Sequence, residues 1–106
     1  MKECYAVIFS SNLSKDPDGY FAAASRMEEL AKQQKGFLGI ESARGEDGFG
    51  ISVSYWEDEE AILAWKENAV HREIQKLGKE KWYSSYSLRV CRVFREYEFT
   101  KEPGVS

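Results

Sequence analysis

The order of two hydrophobic periods along the chain constrains its fold more than any other feature of the sequence. Four stretches are typical of strands, the first rich in β-branched and aromatic residues and the third alternating with period two, and a helical period takes over after the first stretch and again after the third. The predicted strands are 4–11, 37–44, 49–57 and 88–99, and the helical regions begin at Tyr20 and after Asp58. A strand–helix–strand–strand–helix–strand order is that of the ferredoxin-like split βαβ motif. We therefore predict an α+β fold, ferredoxin-like βαββαβ, with a four-stranded antiparallel sheet and its helices on one face.

Short sequence signals set the boundaries of these elements. Lys35-Gly36 ends the first helix with a cation and a C′ glycine, and Asp47-Gly48 is typical of a hairpin turn. The second helical region cannot be one straight helix, because a continuous helix would place Lys66 and Glu73 near the middle of its apolar face. A break at Asn68, which caps a second segment, removes this conflict.

Both faces of the predicted sheet carry apolar side chains, although helices can cover only one. In the first strand Tyr5, Val7 and Phe9 oppose Cys4, Ala6 and Ile8, and in the last strand Leu88, Val90 and Phe94 oppose Cys91, Val93, Tyr97 and Phe99. An uncovered apolar face predicts a partner, and the simplest partner is a second copy packed sheet against sheet. The alternative, a half-polar second face that tolerates scattered apolar residues, is favoured by Arg92, Arg95 and Glu96.

Composition narrows the class of protein. The 106 residues suit one domain, predicted at residues 1–100 with a frayed tail at 101–106. A net charge of −3 argues against a nucleic-acid partner, and no apolar run is long enough for a membrane span or a signal peptide. Two cysteines and one histidine lack disulfide-framework or zinc spacing, so we expect no metal, reduced thiols and a cytoplasmic location.

The stretch from Trp65 to Tyr86 holds the candidate site. His71, Gln75, Gly78 and Trp82 follow one another at i, i+4, i+7 and i+11, which places an imidazole, an amide and an indole on one helical stripe beside a glycine gap. Such a stripe can line a pocket for a flat apolar ligand. Simpler alternatives remain open: packing explains Trp65, capping explains Asn68, and His71 can bond locally or face solvent. No glycine-rich phosphate loop is present, so we expect no nucleotide cofactor.

Three segments of the chain form a recognisable set: Gly36-Phe37-Leu38-Gly39, Val53-Ser54-Tyr55-Trp56-Glu57-Asp58-Glu59-Glu60-Ala61 and Trp65-Lys66-Glu67-Asn68-Ala69-Val70-His71. With them the chain resembles, over about Tyr5 to Tyr97, the antibiotic biosynthesis monooxygenase superfamily. This resemblance implies a dimeric α+β barrel and, for the cofactor-free members, oxidation of electron-rich aromatic substrates by molecular oxygen in a dry cavity lined by a tryptophan like Trp65. Haem-degrading members place a histidine ten residues after that tryptophan, where this chain has Gln75, and an asparagine on the first strand, where it has Val7-Ile8-Phe9.

These observations favour an enzyme, a cofactor-independent monooxygenase acting on a small aromatic or quinol-type substrate. We expect His71 to be the base or a polarising group, Trp65 and Trp82 to be cavity walls, and Asn68 and Gln75 to donate hydrogen bonds to a substrate oxygen. The alternatives are a small-molecule-binding dimer without turnover and a haem-binding or haem-degrading monooxygenase.

Overall fold

The computed structural model describes residues 3–101, and the predicted fold class is confirmed. The elements are β1 (Cys4–Leu13), α1 (Tyr20–Lys32), β2 (Phe37–Arg44), β3 (Phe49–Trp56), α2 (Glu59–Glu67), α3 (Ala69–Leu77), a π-helical turn (Gly78–Trp82) and β4 (Tyr83–Val93). All neighbouring strands are antiparallel, in the order β2-β3-β1-β4. This is the ferredoxin-like arrangement. Apart from Lys101, the predicted tail lies outside the described residues.

Two side-chain caps divide the second helical region as predicted. The Asp58 carboxylate accepts a hydrogen bond from the Ala61 amide at 2.8 Å and begins α2. The Asn68 Oδ1 accepts from the Val70 and His71 amides, both at 3.1 Å, and begins α3. Because Asn68 itself has an extended ψ of 127°, the chain changes direction between the two helices. Within residues 3–101, none of the helices has the length and apolarity needed to span a membrane.

The last strand was wrongly placed at 88–99. Its true limits follow from its neighbour, since a strand persists only where another strand can pair with it. Cys4, the first residue of β1, pairs with Val93, and β1 continues to Leu13, which pairs with Tyr83. The aromatic residues beyond Val93 therefore leave the sheet, and their assignment to a sheet face was also wrong; they are 70–88% exposed: Phe94, Tyr97 and Phe99.

The first helix also ends earlier than predicted, at Lys32. The amides of Gln33 and Gln34 bond to the carbonyls of Leu30 and Ala31, three residues back, so the helix tightens into a turn instead of continuing. Gly36, with a φ of +86°, leads from this turn into β2.

The two faces of the sheet have different surroundings. Side chains of β1, β2, β3 and β4 on one face line a cavity together with residues of all three helices. The alternate residues point away from that cavity, to a face that carries mostly apolar side chains: Ala6, Ile8, Ile51, Val53, Tyr55, Cys91 and Val93. Among the described residues the buried apolar side chains are Ala6, Ala31, Trp56 and Trp82 alone, so a single chain leaves much of its apolar sheet surface accessible.

Candidate functional site

A cavity of about 630 Å³ lies between the helices and the sheet. Of the five residues predicted for the site, four line this cavity: Trp65, His71, Gln75 and Trp82. Asn68 is not among the lining residues, and its side-chain oxygen Oδ1 caps α3. The cavity has the size and the mainly apolar lining that small aromatic ligands require.

His71 is held against Trp65 by two contacts. The imidazole and indole rings are stacked, with centroids 4.3 Å apart and planes 23° apart. The His71 Nδ1 lies 2.8 Å from the backbone carbonyl oxygen of Trp65. Because a carbonyl only accepts, Nδ1 carries the proton and donates it, which leaves Nε2 as the unprotonated nitrogen.

The environment of His71 also favours its neutral form. Burial lowers the pKa of the imidazole below its ordinary value, and the hydrogen bond to the Trp65 carbonyl opposes this shift only in part. The bend at Asn68 creates the arrangement, since it returns the first turn of α3 to the last turn of α2. A neutral imidazole with a free Nε2 at the edge of an aromatic cavity can accept a proton from a bound ligand.

Trp65 in turn stacks on Trp56, which forms the base of this aromatic wall. Their ring centroids are 6.0 Å apart, and Trp56 is fully buried. The Trp56 Nε1 donates to the Ser54 hydroxyl at 2.9 Å, and Phe37 meets the Trp56 ring edge-on. This packing fixes the position of Trp65, and through it that of His71.

Trp82 reaches the cavity by a different route from the one predicted. The continuous stripe from His71 to Trp82 does not form, because α3 ends at Leu77 and Trp82 closes the π-helical turn. Its indole Nε1 donates to the Asp18 carbonyl at 2.7 Å, and its ring meets that of Tyr20 at 6.1 Å. Trp82 therefore joins the turn before β4 to the loop before α1. Gln75 lies on α3 with an exposed side chain at the cavity surface.

Serine side chains on the floor of the cavity were not singled out from the sequence. Ser42, Ser52 and Ser54 all line it, and the Ser42 hydroxyl donates to the Ser52 hydroxyl at 2.8 Å. The strict alternation along β3 could have revealed them, because serines that alternate with Ile51, Val53 and Tyr55 must face the opposite way. The hydroxyls of Ser52 and Ser54 accept these bonds and keep their own protons for further hydrogen bonds.

A second polar cluster, which was also not predicted from the sequence, surrounds the guanidinium of Arg44 at the end of β2. Its Nη2 donates to the Ser11 hydroxyl at 2.7 Å and to the Tyr20 hydroxyl at 3.0 Å, and its Nη1 donates to the backbone carbonyls of Ser11 and Gly48. A side chain at Gly50 would collide with this guanidinium, since an added Cβ would lie 2.6 Å from Cζ. Tyr20 lines the cavity, so the Arg44 network ends there.

Tyr83 completes this end of the cavity. Its ring meets those of Tyr20, Phe9 and Tyr86 at centroid distances of 5.3–6.0 Å. Burial raises the pKa of Tyr83 well above its ordinary value, the neighbouring Tyr20 adds to the rise, and Arg44 opposes it. Tyr83 therefore stays protonated at neutral pH, and its hydrogen bond with Tyr20 contributes to this rise.

The described residues contain no cluster of three histidine, cysteine or carboxylate side chains arranged to hold a metal ion.

A family model and two proteins of related sequence match this chain. The family model described as antibiotic biosynthesis monooxygenase matches residues 18–77. The uncharacterized protein YqjZ of Bacillus subtilis (strain 168) is 47% identical over 95 residues, which cover 90% of this chain and 83% of that protein. The jasmonate monooxygenase ABM of Pyricularia oryzae is 30% identical over 94 residues, which cover 84% of this chain but 43% of that protein's length.

A solved structure, that of a mutant of SnoaB from Streptomyces nogalater, superimposes with a TM-score of 0.71. The alignment covers 96% of this chain and all of that chain, at 13% sequence identity. At this identity the match shows a common fold.

Proposed function

The chain belongs to the antibiotic biosynthesis monooxygenase family, and from this premise we propose that it is a cofactor-independent monooxygenase of a small aromatic or quinol-type substrate. The observation that carries the proposal is the neutral His71, stacked on Trp65 at the wall of an aromatic cavity. Two relatives support the class of reaction: one is named as a jasmonate monooxygenase, and SnoaB is described as a cofactor-independent oxygenase.

In this proposal each candidate residue has a defined task. His71 Nε2 is the base that removes a proton from the substrate, and Trp65 and Trp82 are walls that hold the ring system flat. Gln75 donates a hydrogen bond to a substrate oxygen from the cavity surface. Asn68 does not line the cavity and its Oδ1 caps α3, so any contact with the substrate must come from its amide nitrogen.

The proposed reaction converts an activated methylene group and one molecule of dioxygen into a ketone and one molecule of water. His71 accepts one proton, and the resulting carbanion supplies the electrons that reduce oxygen as the new carbon–oxygen bond forms. Protonation of the peroxide returns the proton from His71, and loss of the second C–H proton with cleavage of the O–O bond releases water. The substrate itself is the reductant, so the balance requires no other electron donor. The aromatic walls exclude bulk water from the carbanion.

We further propose that the protein is a cytoplasmic homodimer. The face turned away from the cavity is largely apolar, and Phe49 and Ile51 of the internal strand β3 are 43% and 42% exposed in the single chain. A second copy packed against this face would bury these side chains. A cytoplasmic location would keep the thiols of Cys4 and Cys91 reduced.

Oxygen consumption tests the proposal directly. The purified protein, free of added metal, flavin and haem, is incubated with a panel of anthrones and hydroquinones in an oxygen electrode, and products are analysed by mass spectrometry under ¹⁸O-labelled dioxygen. We expect catalysed uptake with at least one substrate and one ¹⁸O atom in the ketone. Tryptophan fluorescence quenching without oxygen uptake would instead identify a binding protein, and uptake that requires added haem would contradict cofactor independence.

A further inference from the structure

We propose that the end of the cavity formed by Tyr20 and Tyr83 is a subsite for an anionic oxygen of the aromatic ligand, a carboxylate or a phenolate. Tyr20 contacts this oxygen, and Arg44 behind it is the positioning residue. The inference deepens the proposed function, on which it rests, by specifying the class of substrate: a flat aromatic compound that carries an acidic oxygen away from the reacting carbon.

The first argument is the charge of Arg44. Its guanidinium makes hydrogen bonds to two backbone carbonyls and two hydroxyls, all of them neutral. In the part of the chain from residue 3 to residue 101, no carboxylate lies within ion-pair distance of it. Glu28, a carboxylate that lines the cavity, is paired with Lys32 at 3.7 Å. A half-buried cation without an acidic partner favours an anion nearby. Arg44 itself lines a shallow depression at the turn between β2 and β3, and its link to the cavity is the hydrogen bond to the Tyr20 hydroxyl.

The second argument is the direction of the hydrogen bonds at Tyr20. Arg44 only donates, so the Tyr20 oxygen accepts at 3.0 Å and its own O–H remains available for another acceptor. The guanidinium also lies over the Tyr20 ring, 5.1 Å from its centroid. Tyr83 beside it stays protonated because it is buried. The hydrogen bond between Tyr83 and Tyr20 occupies one of the two phenolic protons, so the hydroxyl of Tyr20, polarised by a cation, is the donor left at the cavity wall. A hydroxyl donor of this kind binds oxyanions strongly.

The third argument is the position of the subsite relative to His71. Trp56, beneath Trp65, and Ser52, opposite Phe9, lie four residues apart along β3, or about 13 Å at ~3.3 Å per residue. Phe9 contacts Tyr83 at 5.3 Å. The base and the phenolic hydroxyls thus lie toward opposite ends of the floor, and the serine hydroxyls lie between them. A substrate with its acidic oxygen at Tyr20 presents its distant ring carbon to His71.

Binding of matched probes tests the subsite without turnover. Calorimetry compares 2-naphthoate, 4-nitrophenolate and 2-naphthamide, the neutral counterpart of 2-naphthoate, on the full-length protein. We expect the wild type to prefer 2-naphthoate or 4-nitrophenolate to 2-naphthamide, and the preferred anion identifies the natural group. Tyr20→Phe and Arg44→Gln should weaken binding of that anion about tenfold, the effect of one charge-assisted hydrogen bond, and change 2-naphthamide binding less than about twofold.

Tyr86→Phe is the matched control, since Tyr86 also lines the cavity but contacts neither Arg44 nor Tyr20. It should leave the ratio of the two affinities unchanged. Equal losses for charged and neutral probes, no preference in the wild type, or no binding of any probe would overturn the subsite. Oxygen uptake without anion preference would refute this inference alone, whereas anion preference without uptake with any substrate would refute the proposed enzyme and leave the subsite standing.

Discussion

The imidazole of His71 stacks on the indole of Trp65 at 4.3 Å and bonds through Nδ1 to the carbonyl of the same residue at 2.8 Å. One residue thus fixes both the plane and the tautomer of the only histidine in the sequence. Because Trp65 is itself stacked on the buried Trp56, the base rests on the sheet rather than on a mobile side chain. This relationship gives the His71 hypothesis a definite geometry.

Replacement of the base should abolish most of the turnover. If His71 removes the substrate proton, His71→Ala should lower kcat by about 10²–10⁴-fold, the usual contribution of general-base catalysis. Oxygen uptake with a substrate accepted by the wild type measures the effect. Arg72→Ala, at the exposed neighbouring position on α3, is the control and should retain wild-type kcat. Unchanged uptake by His71→Ala would exclude the imidazole as the base.

The lowered pKa of His71 predicts the pH dependence of activity. The base works only unprotonated, so the midpoint of the decline in kcat/KM should lie below pH 6.5. A midpoint at or above pH 6.5 would show that the imidazole is not desolvated. Measurement of kcat/KM in overlapping buffers from pH 8 to about 4.5 distinguishes the two outcomes.

The same shift predicts a loss of stability in acid. The folded-state pKa lies below the unfolded value, so the unfolded chain binds the proton more readily. The contribution of neutral His71 is therefore complete above about pH 6.5 and is lost as the pH falls through the folded-state pKa. Thermal unfolding should show the wild type losing more stability than His71→Gln between pH 7 and pH 5. A parallel decline of the two proteins would contradict this linkage.

Two roles of Asn68 can be tested separately: the cap that its Oδ1 forms on α3 and the proposed contact of its amide nitrogen with the substrate. Asn68→Ala should cost about 1 kcal/mol of unfolding free energy, since two amides of α3 lose their acceptor, whereas Asn68→Ser keeps a capping oxygen and should cost far less. Asp58→Ala, at the cap of α2, provides a comparison of similar size. If the Asn68 amide nitrogen binds substrate, Asn68→Ser should still raise KM; an unchanged KM would leave capping as its sole task.

Two glycines close together in the sequence should differ in the stability that they lose on replacement by alanine. At Gly36 the φ of +86° is unfavourable for alanine, and an added Cβ would lie 2.7 Å from the Ala61 Cβ, so Gly36→Ala should destabilise the protein by more than about 1 kcal/mol. At Gly39 an added Cβ meets nothing within 4 Å, and Gly39→Ala should change the unfolding free energy by less than about 1 kcal/mol. Urea titration compares the unfolding free energies of the two variants. Equal losses would show that alanine is not strained at Gly36.

A charge on the open sheet face should separate the proposed dimer. Ile51→Lys would bury an unpaired ammonium in the interface, so sedimentation at micromolar concentration should change from twice the 12.2 kDa of the chain to a single copy. Phe21→Glu, at an exposed position of α1, should leave the dimer intact. A wild type that sediments as a single chain would refute the homodimer.

Comparison of prediction with structure shows which inferences depend on local physics. The break at Asn68 was predicted correctly because the conflict of Lys66 and Glu73 with an apolar stripe is visible within one helical stretch. The end of β4 was wrongly predicted because strand length depends on the partner strand, and Phe94, Tyr97 and Phe99 look like strand residues wherever they lie. Trp82 lines the cavity, although the helical stripe from which its position was predicted does not form.

The sequence alone determined the element order, the ferredoxin-like class and the two caps, because hydrophobic period and capping are properties of residues close together in the chain. Only the tertiary structure brought His71 onto Trp65 and joined Arg44 of β2, Tyr20 of α1 and Tyr83 of β4 at one cavity wall. Such contacts join residues far apart in the sequence, and their geometry depends on strand register and helix packing, which no local pattern encodes.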